Sequence, residues 1–194
     1  IMEKFYFEEP NISRKEDAIA YINEFYDYNS KINGVGGLYR YLDDYEGWLK
    51  KLEEDYTRIP NEEKVPARTY FLIRESDSRI IGMINIRLSL NESLKKSGGH
   101  IGYSIRPTER RKGYNKINLY LGLKVCQKYG IETVLLDADK ENLASWKTME
   151  ALGGINIREF IDEHDGAHSI MKNYEINVNE SIKNNSNIFE PMLK

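Results

Sequence analysis

An alternating run from Gly99 to Arg106 is stopped by Pro107, and a basic turn, Arg110-Arg111-Lys112-Gly113, opens a run of helical spacing over 114–129 that ends at Gly130. A strand that turns through basic residues and a glycine into a helix constrains this chain more than any other stretch. The first backbone N–H groups of a helix have no partner within it, and the helix dipole adds partial positive charge there. Gly113 lets an anion come close to the main chain, and three cationic side chains precede it. The arrangement predicts a cradle for phosphate groups, suited to a pyrophosphate.

The rest of the chain supplies a sheet and further helices. Phe5 to Phe7 reads as a short strand. Ser13 reads as an N-cap, with Glu16 completing a capping box, for a helix over 14–29. A second helix is expected over 43–56, with Tyr45, Trp48, Leu49 and Leu52 on one face. Residues 69–75 and 79–88 alternate about the turn at Asp77-Ser78 and predict a hairpin. After a polar excursion over 91–97 and the strand at 99–106 come a buried-type strand at 132–138 and a helix at 142–152 ended by Gly153-Gly154. Strands at 155–161 and 169–178 are joined around Asp165-Gly166. The order β-α-α-β-β-β-α-β-α-β-β predicts an α/β (mixed α+β) domain, with a central, mixed and mostly antiparallel sheet flanked by helices. One domain is expected over 1–178. Residues 179–194, rich in Asn and Ser, read as a loosely held polar tail with Ile188-Phe189 as its only anchor.

Composition narrows the partners. The net charge of −3 argues against a general nucleic-acid binder, so the basic turn addresses a small anion. No apolar run approaches the ~20 residues of a membrane span, and the acidic, aromatic start does not resemble a signal peptide. The single cysteine, Cys126, makes no internal disulfide and fits a reducing, cytoplasmic setting; its apolar neighbours place it in the core.

The element order and the turn together resemble the GNAT superfamily of acyl-CoA-dependent N-acetyltransferases, in the wording of uncharacterised bacterial members. That family carries Arg/Gln-x-x-Gly-x-Gly/Ala between a strand and a helix. Arg110 and Gly113 match, and Asn115 replaces the second small residue. Gly102-Tyr103-Ser104-Ile105-Arg106-Pro107 leads into the turn as in many members, and Asp139-Lys140-Glu141-Asn142-Leu143-Ala144-Ser145 resembles the segment that lies beside the pantetheine arm. Glu150-Ala151-Leu152-Gly153-Gly154 resembles the end of the following helix, so the likeness covers roughly 5–176.

The resemblance implies acetyl-CoA as co-substrate and a primary amine, of a small molecule or a peptide, as acceptor. It implies that the main chain at Lys112, Gly113, Tyr114 and Asn115 holds the diphosphate, with Arg110 and Arg111 adding charge. Amides near Tyr103 to Ile105 would polarise the thioester, and Asn142 and Ser145 would flank the pantetheine. The family's usual Tyr acid falls at Met149, which donates no proton. Ser145, another Tyr or water remains as a substitute, or the thiolate leaves unaided. For the base, the strand offers His100 and Tyr103; His100 is preferred because its ordinary pKa of ~6.5 suits proton transfer near neutrality. Asp137 is the second candidate, its direction left open by alternation. Tyr28, Tyr39 and Tyr41 are candidates for an acceptor pocket, and Arg87 either binds an anionic part of the acceptor or faces solvent.

Plainer readings stand beside these. Arg110 to Lys112 could be a solvated helix start, Asn142 a simple N-cap, His100 an edge residue and Asp137 a structural acceptor. His164 and His168 flank a turn and read as surface residues, and no metal site is expected, since no ligands lie at suitable spacing. Acidic residues in the first two helices and at Glu62-Glu63 favour a cationic acceptor. Members of the family often pair, so a homodimer is a further expectation. The rival class is a CoA-binding sensor or interaction module without catalysis, motivated by Met149 and Asn115.

Overall fold

The computed structural model describes residues 2–163 and 168–194. The turn expected at Asp165-Gly166 and His164 lie outside the described residues. Among the described residues, seven strands form two antiparallel sheets. The first has the order β1-β2-β3-β4, from β1 (Phe5–Glu8), β2 (Ala67–Arg74), β3 (Arg79–Arg87) and β4 (Ile101–Ile105). The second has the order β5-β7-β6, from β5 (Thr133–Asp139), β6 (Ile155–Asp162) and β7 (Ser169–Asn177). The single central sheet expected from sequence is therefore divided, and an isolated bridge between Gly99 and Leu136 joins the halves.

Two helices cover one face of the first sheet: α1 (Lys15–Asp27) and α2 (Tyr45–Tyr56). Tyr21, Ile22 and Phe25 of α1 and Trp48 of α2 pack with Phe71, Ile73, Ile80 and Met83 in one core cluster. The opposite face carries α4 (Tyr114–Lys128), with α5 (Leu143–Ala151) and α6 (Val178–Phe189) packed on α4 and on the second sheet, around a second cluster with Leu72, Ile84, Ile86, Ile101 and Tyr174. Alternation sends Phe71 and Ile73 to one cluster and Leu72 to the other. A register shift between Leu72 and Ile73 reverses the phase of β3, so Ile81 and Met83, two apart in sequence, serve opposite clusters. A short α3 (Glu92–Lys96) fills the polar excursion.

Two readings from sequence change. The first cap is Asn11, whose side chain accepts from the Ser13 N–H and starts a 3₁₀ turn over Ile12–Arg14 before α1; Ser13 is not the cap. The polar tail is a helix. Val178, Ser181, Asn185 and Phe189 recur along one buried face of α6, so the stripe is built partly of polar residues that composition alone sends to solvent. Tyr120 of α4 donates to Glu190 at 2.9 Å, the Phe189 ring lies 5.1 Å from that of Tyr120, and the Lys194 N–H donates to the Phe5 carbonyl at 3.0 Å. Phe189 is the anchor, while Ile188 is 55% exposed.

Candidate active site

The helix start expected to act as a cradle begins where the sequence places it. Gly113 is the N-cap of α4 with a φ of +79°, and no side chain caps the helix. A Cβ built on Gly113 meets nothing within 4 Å, so the first amides of α4 face open space. Arg111 is also left-handed, with a φ of +64°, a conformation uncommon outside glycine. Its side chain is exposed and has no ion-pair partner among the described residues.

The other two cations of the turn point elsewhere. Arg110 donates through Nε to the Ile105 carbonyl at 3.2 Å and to Ser30 Oγ at 2.8 Å, with its guanidinium 5.4 Å from the centre of the Phe25 ring. It ties the turn to β4 and to the end of α1. Lys112 is paired with Glu109 at 2.7 Å. Glu109, buried, also meets Arg74 at 2.8 Å and Arg79 at 3.5 Å. Burial works to raise its carboxyl pKa, but Arg74 and Lys112 outweigh it and hold the group below the ordinary value. Glu109 therefore pins the cradle to β2 and β3. A carboxylate one residue before a basic triplet was the available signal for it, though nothing local shows that Arg74 would meet it.

The splay between the sheets supplies the second element. Arg106 donates to the Ile81 carbonyl at 2.9 Å, and β4 pairs with β3 through Ser104↔Met83. Antiparallel alternation then turns the N–H groups of Tyr103 and Ile105 away from β3, toward the gap. Tyr103 spans that gap: its hydroxyl donates to the Ser145 carbonyl at 2.9 Å and lies 3.1 Å from Ser145 Oγ. Burial pushes its phenol above the ordinary pKa, against weaker opposing hydrogen bonds from Ser145 and Asn115. The structure thus brings Tyr103, Ser145 and Asn115 together between the starts of α4 and α5. Asn142 caps α5, accepting from the Ser145 N–H at 3.3 Å. Met149 is buried in the core.

His100 and Asp137 lie at the closed end of the gap. The His100 N–H donates to the Leu135 carbonyl at 2.7 Å, and its Nδ1 accepts from the Leu135 N–H at 3.0 Å. Burial, assisted by Arg87, lowers its pKa to about 4. An imidazole whose Nδ1 lone pair is engaged and which resists protonation is a poor proton acceptor, and the contacts of His100 join the start of β4 to β5, as its plainer reading as an edge residue has it. Asp137 accepts from the Gly98 N–H at 2.6 Å and from Asn173 Nδ2 at 2.5 Å. Arg87, expected to meet an acceptor or solvent, is instead partly buried and donates to the Gly99 carbonyl at 3.0 Å. These groups form a clasp that closes one end of the splay.

On the other side of β4 the loop after α1 lies against the strand, with Gly34 packed on the Gly102 backbone. Tyr28 and Tyr39 are exposed there and Tyr41 is half-buried. The acidity of α1 is partly turned inward: Asp17 and Glu24 meet the buried Arg106 at 3.0 and 3.3 Å. His168 is exposed, 3.4 Å from Glu163. Among the described residues no group of three His, Cys, Asp or Glu is placed to hold a metal ion, and no helix is long and apolar enough to cross a membrane.

Two sheets splayed around an open strand edge, with an uncapped helix start at its mouth, make a cleft with free backbone donors at both ends. Residues 11–155 match the acetyltransferase (GNAT) domain, and the chain belongs to that family of N-acetyltransferases. Among solved structures it is similar to the ribosomal-protein-S5-alanine acetyltransferase of Vibrio fischeri, with a TM-score of 0.68 and 14% identity over 93% of this chain and 96% of that one. It is also similar to mutant forms of the spermidine/spermine N-acetyltransferase SpeG of Vibrio cholerae, with a TM-score of 0.65 and 13% identity over 94% and 98% of the two chains. A GNAT-family acetyltransferase of Bacillus anthracis aligns with a TM-score of 0.62 and 15% identity over 92% and 98%. No curated protein gives a significant match. Membership implies acetyl-CoA and an amine as the reacting pair.

Proposed function

We propose that the chain transfers an acetyl group from acetyl-CoA directly to a primary amine, with no acyl-enzyme and with Tyr103 as the proton donor to the departing sulfur. Acetyl-CoA supplies an activated carbonyl, and the chain's own groups do the rest. The main chain from Lys112 to Asn115 would hold the diphosphate, with the exposed Arg111 as the cation free to join it. Open space at Gly113 and the absence of a side-chain cap fit that group. Asn142 and Ser145 would flank the pantetheine. The Tyr103 and Ile105 amides, turned to the gap, are the donors available to a thioester oxygen; one such donor is typically worth ~3 kcal/mol in the transition state.

One observation carries the catalytic assignment. The phenol of Tyr103 is held by Ser145 between α4 and α5 while the amide of the same residue faces the gap. A single strand position therefore offers both a carbonyl-polarising N–H and a protonated hydroxyl, where the usual helix position has only Met149. With His100 engaged at Leu135 and Asp137 at Gly98 and Asn173, the amine would lose its proton to water.

A panel of amines with acetyl-CoA, read by free-thiol release and by mass of the acetylated product, tests this reading. Spermidine, amino sugars, amino acids and a peptide with N-terminal alanine cover the acceptor classes. Stoichiometric thiol and N-acetyl product from at least one class is expected. Tight CoA binding without release across the panel would defeat the transfer assignment.

A further inference from the structure

Asn118, in the second turn of α4, is fully buried beside Ile117, Leu119 and Tyr120, in a stretch otherwise given to apolar packing. Its amide nitrogen donates to the Met83 carbonyl of β3 at 3.1 Å. Its Oδ1 has no hydrogen-bond partner among the described residues. A buried amide with one end unpaired carries a free-energy cost that a leucine of similar size would not. Packing alone therefore gives no reason for an amide at this position.

The same nitrogen lies 3.4 Å from Asn115 Oδ1, one turn back on the same face of the helix. A main-chain carbonyl can only accept, so Met83 fixes which end of the Asn118 amide faces it. Turning that amide over would set its oxygen against the carbonyl oxygen. With Asn118 Nδ2 so placed, Asn115 turns its oxygen toward Asn118, and its own Nδ2 is the end left for the Tyr103 phenol, which it meets. The phenol hydrogen goes to the Ser145 carbonyl, so the phenol oxygen is free to accept. The polarity of the pair is thus set from β3 and passes from Met83 through Asn118 and Asn115 to Tyr103.

We propose that Asn118 is a positioning residue for the transfer, acting through Asn115 to keep a hydrogen-bond donor on the phenol oxygen of Tyr103. This rests on Tyr103 being the acid. As the amine attacks the carbonyl carbon, the C–S bond breaks with its electron pair passing to sulfur. The Tyr103 O–H bond breaks with its proton passing to the same sulfur. The phenolate left behind accepts from Asn115 Nδ2 until the proton that the amine gives to water replaces the one spent. A fixed donor bonds a phenolate more strongly than a neutral phenol, so it favours the proton transfer. At the motif position where the family carries glycine or alanine, Asn115 thus serves the acid of a chain whose Met149 has no proton to give.

A double-mutant cycle, run with acetyl-CoA and the best acceptor of the amine panel, tests the role. Asn118→Leu, close in size and apolar, should lower kcat about tenfold, part of the ~10²-fold that a positioned acid supplies, with the KM for acetyl-CoA little changed. Asn118→Ala, which adds no bulk, makes the same prediction where leucine does not pack. Asn115→Ala, half-buried on the first turn, should lower kcat equally. In a Tyr103→Phe background none of these substitutions should lower kcat further. Native kcat in the Asn118 or Asn115 variants, or losses that persist undiminished beside Tyr103→Phe, would overturn the positioning role alone. Native kcat in Tyr103→Phe itself, or no turnover with any amine, would overturn the acid assignment with it.

Discussion

Tyr103 lies in the middle of β4 and His100 just before its first residue, and burial acts on them in opposite directions along the pH scale. The phenol is pushed up, so it stays protonated through neutrality and keeps a proton to give. The imidazole is pushed down to about 4, so it stays neutral and keeps its place between the sheets. Tyr103→Phe removes only the hydroxyl; kcat should fall by about 10²-fold with the KM for acetyl-CoA little changed, as steady-state kinetics would show. A fall in cofactor affinity with kcat intact would make the hydroxyl a binding group instead. For His100 the sign follows from linkage. The unfolded side chain binds its proton near 6.5 and the folded one only near 4, so between those values the unfolded state holds more protons. Its contribution to stability is complete above about 6.5 and is lost as pH falls toward 4. Denaturant titrations at pH 7 and pH 5 should show a larger loss for the native protein than for His100→Asn. Sequence could name both residues because they lie on a recognisable strand. It could not separate their roles, because the Leu135 amide that engages His100 and the Ser145 hydroxyl that meets Tyr103 arrive from elements 35 and 42 residues away.

At the scale of elements, what was legible depended on how local the signal was. The start of α4 is written in consecutive residues, Arg110 to Gly113, and forms as read. Helix α6 is not legible in that way, because two of the four residues on its buried face are Ser181 and Asn185, which composition assigns to the surface. They are accommodated by neighbours: Ser181 donates to the Leu152 carbonyl at the end of α5, and Asn185 donates back to Ser181. The stripe closes on Phe189, 5% exposed against Tyr120. Phe189→Ala should therefore cost about 3 kcal/mol or more in denaturant unfolding, a value typical of a core aromatic. A loss below 1 kcal/mol would restore the loosely held tail. Within the cradle, Gly113→Trp should abolish CoA binding by calorimetry while circular dichroism and the unfolding midpoint stay near native. The first carbon of the added side chain enters open space, although the left-handed φ adds a backbone cost of about 1 kcal/mol or more.

Across the whole molecule the two sheets behave as the arms of a clasp that is shut at one end and open at the other. The shut end is built by Gly98, Gly99 and His100 from one side and by Leu135, Leu136 and Asp137 from the other, with Arg87 bracing Gly99 and Asn173 bracing Asp137 each within its own half. The open end is where Tyr103 and Ile105 present amides with no strand beside them. A sequence can show two buried strands, but their division into separate sheets depends on how close the backbones come at one point. That point is Gly99. It has a φ of +62°, and a Cβ there would lie 2.2 Å from the Leu135 carbonyl oxygen, a backbone atom that cannot swing aside. Gly99→Ala must either strain the main chain or push β5 away from β4, and the left-handed conformation alone costs about 1 kcal/mol or more. The splay should widen from its closed end, so the variant should lose both unfolding free energy and thioester affinity, and kcat should fall with them as the amides of β4 shift from the reacting carbonyl. Denaturation and calorimetry on the same preparation distinguish the outcomes. Lost stability with unchanged affinity would mean that the shut end holds the fold but does not set the width of the cleft.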